Sequence, residues 1–384
     1  MRVPIFHRAV LAQNIALRAL SHRGLSGVFI SAPRRTGKST LIKEDMLPFF
    51  EKKGVEVIYV DLWQNRDRDP GELISEAVAD HLRTREGALL QWARKGGLDR
   101  VKVGGIEVDI NKVGIGQGKS FAKALSELSD ATGAMIVLVI DEAQHAMTTE
   151  AGATALFSLK AARDELNGST HHGFRLIATG SNRDKLHLLA QGKDQAFMGA
   201  ATMDLEPLGK DYIEWERALH DGPFRPSIES MGKVFASAGH RPETLRKVLD
   251  DLAFRFDVTV ENVDALFEQA FDQVMVDARQ AFMRQINSLP PLQAAVITVM
   301  AREGIDFAPF RPHTIELYEN QCIALSREPV RIDDSAVQYA LEALRTKTLV
   351  WKSARGVYAV EDFQHVTWLV GSIDVDPGTK APTF

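Results

Sequence analysis

Cysteine is almost absent: Cys322 is the only one in 384 residues. A lone thiol closes no internal disulfide, which excludes a disulfide-stapled scaffold and suits a reducing compartment. Cys322 itself reads as a small apolar residue on a helix. Long apolar runs are also missing. No uncharged stretch approaches the roughly 18 residues of a membrane-spanning helix, and the opening MRVPIFHRAV lacks the apolar core of a signal peptide. These absences predict a cytoplasmic protein with no membrane partner. Nor is there a surplus of basic charge. A net charge of −5 and a pI near 6.1 give no global reason to bind nucleic acid or anionic lipid, which leaves only a local basic patch open. No second His or Cys stands at ligand spacing from His145, so no zinc site is predicted. His171-His172 fall in a Gly/Ser/Thr-flanked loop and are expected to be solvent-exposed. No Ser/His/Asp set with a nucleophile elbow is present, and no repeats or low-complexity tracts stand out.

What the chain does contain is ordinary bulk and one unusual loop. Its length allows two or three domains, and 45% hydrophobic with 25% charged residues is the balance of a soluble globular protein. The loop is Ala32-Pro33-Arg34-Arg35-Thr36-Gly37-Lys38-Ser39-Thr40. Gly27-Val28-Phe29-Ile30 before it reads as a buried strand, and Leu41-Ile42-Lys43-Glu44 after it opens a helical pattern. Strand, tight loop ending in Gly-Lys-Ser, then helix is the context of a phosphate-binding loop. Backbone N–H groups of such a loop curl round an anionic phosphate, and the helix that follows aims its positive end at it. In that reading residues 32 to 40 bind nucleotide, Lys38 reaches the β- and γ-phosphates, and the Ser39 hydroxyl holds Mg²⁺. One departure is Ala32, where the usual pattern has glycine. Alanine tolerates positive φ poorly, so modest strain is expected there.

The rest of the first 210 residues alternates strand and helix. An amphipathic helix is expected over residues 5–22, a strand over 55–62, and a helix from Pro70 through Leu82. Residues 100–113 alternate polar and apolar about Gly104-Gly105, the pattern of an exposed inserted β-hairpin. Its reading as a contact arm for a partner and its reading as a decoration both stand. A helix from Ser120, the apolar strand Met135–Ile140, a helix over 154–166, the strand Phe174–Gly180 and a last strand near 202–205 complete a right-handed βαβ core with a parallel sheet. Residues 210–287 are helical in period and predict a small lid. Pro290-Pro291 mark a boundary, and the tail over 371–384 reads as disordered.

Asp141 and Glu142 follow the apolar strand, at the sheet edge where open parallel sheets place their ligands. In P-loop enzymes the first acid of such a pair serves the Mg²⁺ shell, and the second orients or deprotonates the attacking water. Asn182 ends the neighbouring strand. It reads either as a sensor of the γ-phosphate or as the N-cap of the segment that follows. Arg183 offers a charge for the transition state, in cis or in trans. Arg241 and Arg246, at the start of a helix opened by Ala238-Gly239-His240, either reach the phosphates or are solvated.

APRRTGKST, IVLVIDEAQ, ATGSNRDKL and AGHRPETL together resemble the AAA+ superfamily, in the branch of archaeal-type, STAND and origin-recognition-like ATPases. The resemblance covers about 250 residues. It implies an α/β parallel-sheet P-loop NTPase core over 1–209, a helical lid over 210–288 and a C-terminal winged-helix domain over 289–370. It implies ATP and Mg²⁺ as cofactors, ATPase activity with Glu142, Lys38, Asn182 and Arg183 as its catalytic residues, and Arg241 near the nucleotide. Members of this branch often carry an arginine just before the last core strand. Here Phe197-Met198-Gly199-Ala200-Ala201 has none, which implies slow turnover, a borrowed Arg183, or a switch rather than a motor. The expected partner is either double-stranded DNA, met by Arg345, Lys347, Lys352 and Arg355 at the third helix and wing, or a protein. A homo-oligomer is a further expectation. Acidic residues outnumber basic ones after Leu289, unlike most DNA binders.

Overall fold

The structure is a computed structural model. It describes residues 4–65, 68–85, 87, 120–168, 170–181, 186–187, 189–190, 195–326, 331–354 and 357–371. The hairpin expected over 100–113, the tail beyond Gly371, and Asn182, Arg183 and Arg355 lie outside the described residues. The chain divides into two compact units, Met1–Glu268 and Gln269–Phe384.

The first unit is built on β1 (Val28–Ser31), β2 (Glu56–Asp61), β3 (Ile136–Asp141), β4 (Phe174–Gly180) and β5 (Ala201–Asp204). All neighbours pair in parallel, in the order β2-β3-β4-β1-β5. Residues Ile136 to Ile140 are 0% exposed, which explains why β3 is a continuous apolar run rather than an alternating one. Both faces are covered. Phe29, Ile136, Leu138, Ile140 and Leu176 point to α3 (Pro70–Thr84), α4 (Phe121–Thr132) and α5 (Glu150–Gly168). The intervening Val28, Ile30, Val137, Val139 and Ile177 point to α1 (Ala9–Leu20) and the helical segment α2 over residues 38–52. Each such side chain contributes about 1.5–3 kcal/mol on burial. Local signals set the helix ends. Asp69 accepts from Gly71 N at 2.7 Å with Pro70 next to it, and Ser120 Oγ accepts from Lys123 N at 3.3 Å.

Two local expectations change. The first helix starts at Ala9, not Ile5. Tertiary contacts override the apolar period there. Phe6 packs on Tyr212 and Trp215 with ring centroids 5.4 Å away in both cases, and Arg8 N donates to Asp45 Oδ2 at 2.8 Å. The helix after the phosphate-binding loop is not uniform either, but widens into a π turn over Leu41–Met46. Pro48 accounts for it. Proline lacks an N–H and crowds the carbonyl one turn back, and the wider turn relieves both. The remaining helices of this unit are α6 (Lys210–Leu219), α7 (Ile228–Ser237) and α8 (Pro242–Ala253), before α9 (Val263–Asn287), inside which the two units divide.

In the second unit α10 (Pro291–Glu303), α11 (Pro312–Ser326) and α12 (Asp334–Thr346) precede an antiparallel pair, β6 (Val350–Ala354) and β7 (Val357–Val360). A further helix, α13 (Phe363–Gly371), was not expected. Val296, Ile297, Tyr318, Val337, Leu341 and Leu344 form its core. Cys322 is buried on α11, and burial, reinforced by Glu319, pushes its thiol pKa up.

Candidate functional site

The site begins where β1 ends. Ala32 N still donates to Gly180 O at 3.1 Å, and the chain then leaves the sheet, with Thr36 Oγ1 donating to Pro33 O at 2.7 Å across the loop. Arg35 (φ 64°) and Gly37 (φ 85°) both adopt left-handed backbone. Left-handed residues alternating with right-handed ones turn successive N–H groups inward, the concavity that cradles anions. The strain expected at Ala32 therefore falls on Arg35, because the turn that needs positive φ sits three residues further on.

Lys38 and Ser39 begin α2 and face the end of β3. Ser39 Oγ donates to Asp141 Oδ2 at 2.7 Å, and Lys38 Nζ lies 3.3 Å from Asp141 Oδ1 and 2.5 Å from Glu142 Oε1. Lys38 is 6% exposed and Asp141 1%. Such burial of charge is tolerated only when every charge is paired and hydrogen-bonded. Here it is. Asp141 also accepts from Thr179 Oγ1, from Tyr59 Oη at 3.2 Å and from Glu142 N at 3.1 Å. Burial and the Asp141 charge push the Tyr59 phenol pKa well up, so it stays a donor.

Glu142 has left-handed backbone at φ 56°, which turns its side chain back over the loop. Its Oε2 accepts from Gln144 Nε2 at 2.5 Å, Ser181 Oγ at 2.8 Å and Ser181 N at 3.2 Å. Burial raises the pKa of this carboxyl, but Lys38 and these donors outweigh burial and hold it near 2. Gly180 gives the Gln144 amide its room, since a Cβ there would come within 2.5 Å of Gln144 Oε1 and displace it.

The two arginines of the loop part company. Arg35 is exposed and pairs with Glu243 at the start of α8, at 3.2 Å. Arg34 is half-buried, with its guanidinium 4.0 Å above the Trp63 ring and its Nε donating to Ser181 Oγ at 3.3 Å. Trp63 in turn packs on His145 at 4.4 Å.

A cavity of about 500 Å³ opens beside Ser39 and Thr40, lined also by Phe6, Leu208, Tyr212, Pro242 and Arg246. Arg246 is not merely solvated: its Nε donates to Glu216 Oε1 at 2.9 Å, and buried Glu216 also accepts from Tyr212 Oη at 2.6 Å. Arg241 stands at the N-cap of α8, after the left-handed pair Gly239 and His240. His171 departs from expectation, since it is half-buried and lies 2.6 Å from Asp130. Among the described residues no three His, Cys, Asp or Glu side chains gather as a metal cluster, and no helix is long and apolar enough to cross a membrane. In the second unit Arg345 pairs with Glu342 at 2.7 Å and Lys347 donates to Gln293 at 2.8 Å, while Lys352 lies on β6.

The parallel sheet, its strand order and the helices on both faces form an α/β P-loop NTPase fold. The chain is similar to the Aeropyrum pernix ORC2 protein in its ADP form, at 14% identity over 98% of this chain and 97% of that one, with a TM-score of 0.52. It is also similar to the Aeropyrum pernix ORC1 protein in complex with DNA (15% identity, 97% and 94% covered, TM-score 0.47) and to AMPPCP-bound DnaA from Aquifex aeolicus (12%, 98% and 96%, 0.41). At such identities the likeness is one of fold alone, and it rests on the ORC2 protein. No protein-family model matches the chain. No curated protein matches it in sequence.

Of the residues singled out from sequence, Lys38, Ser39, Asp141 and Glu142 meet in one buried cluster, with residues 32–37 wrapped beside it. Sequence reasoning missed Tyr59, Trp63, Gln144, Thr179 and Ser181. Two of these had a readable signal. Thr179 ends an apolar strand beside the acidic one, and Ser181 follows it directly.

Proposed function

We propose that this chain is a Mg²⁺-dependent ATPase of the AAA+ type that works as a nucleotide-driven switch. The observation that carries the proposal is the convergence of Lys38 and Ser39 with Asp141 and Glu142, from the ends of two different strands, beside a loop with left-handed turns. Residues Arg34 to Gly37 offer backbone N–H groups to the phosphates, Ala32 N–H being held by Gly180 O, Thr40 flanks the cavity, and Lys38 supplies the fixed positive charge. Ser39 and Asp141 fit a small hard cation. Two protein oxygens 2.7 Å apart suit an ion that keeps most of its waters. Mg²⁺ held there supplies charge neutralisation for phosphoryl transfer to water. Glu142 positions that water, Asn182 senses the terminal phosphate, Arg183 adds charge, and Arg241 approaches from the start of α8. The core spans 1–209, a lid 210–288 and a winged-helix domain 289–370. The fold it shares with a protein described in an ADP form supports the nucleotide reading.

For the output, one reading is double-stranded DNA held by Arg345, Lys347, Lys352 and Arg355. A second is a signalling scaffold of negligible turnover whose C-terminal unit binds protein. A specific observation favours the second. Arg345 is already paired with Glu342, and the exposed face of α12 carries Asp334, Tyr339 and Glu342, a poor surface for a polyanion. The test is ATP hydrolysis with and without double-stranded DNA, against Lys38→Ala and Glu142→Gln, with oligomer size followed throughout. DNA-stimulated turnover lost in both variants supports the DNA reading. Turnover or tight ATP binding indifferent to DNA supports the switch with a protein partner. No ATP binding at all overturns the proposal.

A further inference from the structure

The loop contains a second cation, beside Lys38, that is held against the site. Lys38 already supplies the buried charge, and Arg35 points outward to Glu243. Arg34 does neither. Its guanidinium lies over the Trp63 ring, 4.0 Å from the centroid, and Trp63 packs at a tilt on His145 at 4.4 Å, so the charge sits against two rings rather than swinging in solvent. Both rings belong to the site. Trp63 follows the end of β2, and His145 follows Glu142 by three residues.

From that seat Arg34 Nε donates to Ser181 Oγ at 3.3 Å, and Ser181 Oγ donates to Glu142 Oε2 at 2.8 Å. The other oxygen of Glu142 holds Lys38. Arg34 is therefore two hydrogen bonds from the Glu142 carboxylate, and it is not among the residues that line the cavity beside Ser39. The nucleotide reading sets the phosphates against the loop that carries Arg34, beside Lys38 and Glu142.

We propose that Arg34 is the residue by which this chain distinguishes a nucleoside triphosphate from a diphosphate. Its guanidinium contacts the terminal phosphate and, in doing so, lets go of Ser181 and loosens the hold on Glu142. The inference rests on the nucleotide reading above.

The test is an equilibrium titration with ADP and with the non-hydrolysable triphosphate AMPPNP, both with Mg²⁺. It compares the wild type, Arg34→Gln, Arg34→Lys, Trp63→Leu and Lys38→Ala. The expected result is that Arg34→Gln weakens AMPPNP binding about tenfold or more while ADP binding stays within about threefold. Retained ADP binding certifies that the variant is folded. Arg34→Lys restores most of the preference because charge is kept. Trp63→Leu loses part of it because the seat is gone. Equal weakening of both ligands by Arg34→Gln, or no change in either, overturns the inference while leaving the nucleotide reading intact if Lys38→Ala abolishes both. A wild-type chain that binds neither ligand overturns the two together.

Discussion

Lys38 Nζ lies 2.5 Å from Glu142 Oε1, so in the proposed function the cation for phosphate is held by the carboxylate for water. On that proposal nucleotide breaks this pair before either group takes up its role. A competitor of this kind lowers affinity in the resting state. Replacing it with a neutral isostere removes the competition but also removes the group that positions the water. For Glu142→Gln we therefore expect tighter ATP binding, by several-fold, and turnover lowered by about 10²–10⁴-fold. Titration and single-turnover hydrolysis on the same preparation check both.

The same pair sets an acid limit. The folded-state pKa of Glu142 is depressed from 4.5 to about 2, so the stability it contributes is complete above about pH 4.5 and lost as pH falls towards 2. Urea unfolding at stepped pH values, wild type against Glu142→Gln, measures it. The wild-type advantage is expected to shrink on acidification between those limits, and an advantage that grows in acid contradicts the assignment.

Gly180 tests the support behind Glu142. A methyl group there meets Gln144 Oε1 at 2.5 Å and Leu186 Cδ1 at 3.1 Å, and the amide at the end of a flexible side chain is what yields. Gly180→Ala is expected to cost about 1 kcal/mol of stability or less, since Gly180 has no left-handed backbone to strain. Turnover should fall further than stability does, because Gln144 can no longer hold Glu142. Thermal unfolding and steady-state hydrolysis, compared, decide it.

Glu216 is 7% exposed and holds both Arg246 and Tyr212. Truncation leaves a guanidinium and a phenol without their shared acceptor. Glu216→Ala should destabilise the first unit by about 3–5 kcal/mol, and Glu216→Gln by less, because an amide oxygen still accepts. Nucleotide affinity should drop in step, since Arg246 lines the cavity. Denaturant midpoints of the two variants provide the check.

The parts of this site that were legible in the sequence are those whose residue types and neighbours act locally. Gly37-Lys38-Ser39 after a strand, and Asp141-Glu142 after an apolar run, announce themselves within ten residues. Arg34 carried no signal to separate it from Arg35, because their different fates are decided by Trp63 and Glu243, far away in the chain. The helix start moved from Ile5 to Ala9 because Asp45, Tyr212 and Trp215 claim the preceding residues. The π turn was foreseeable only from Pro48, whose effect lies in the turn before it.

Arg35 and Glu243 join the phosphate-binding loop to the first turn of α8 by a single ion pair, with both side chains about two-thirds exposed. Pairs so open to water contribute about 0–1 kcal/mol and weaken further with salt. The link between the loop and the first turn of α8 is therefore one that salt loosens, at a point next to Pro242 in the cavity wall.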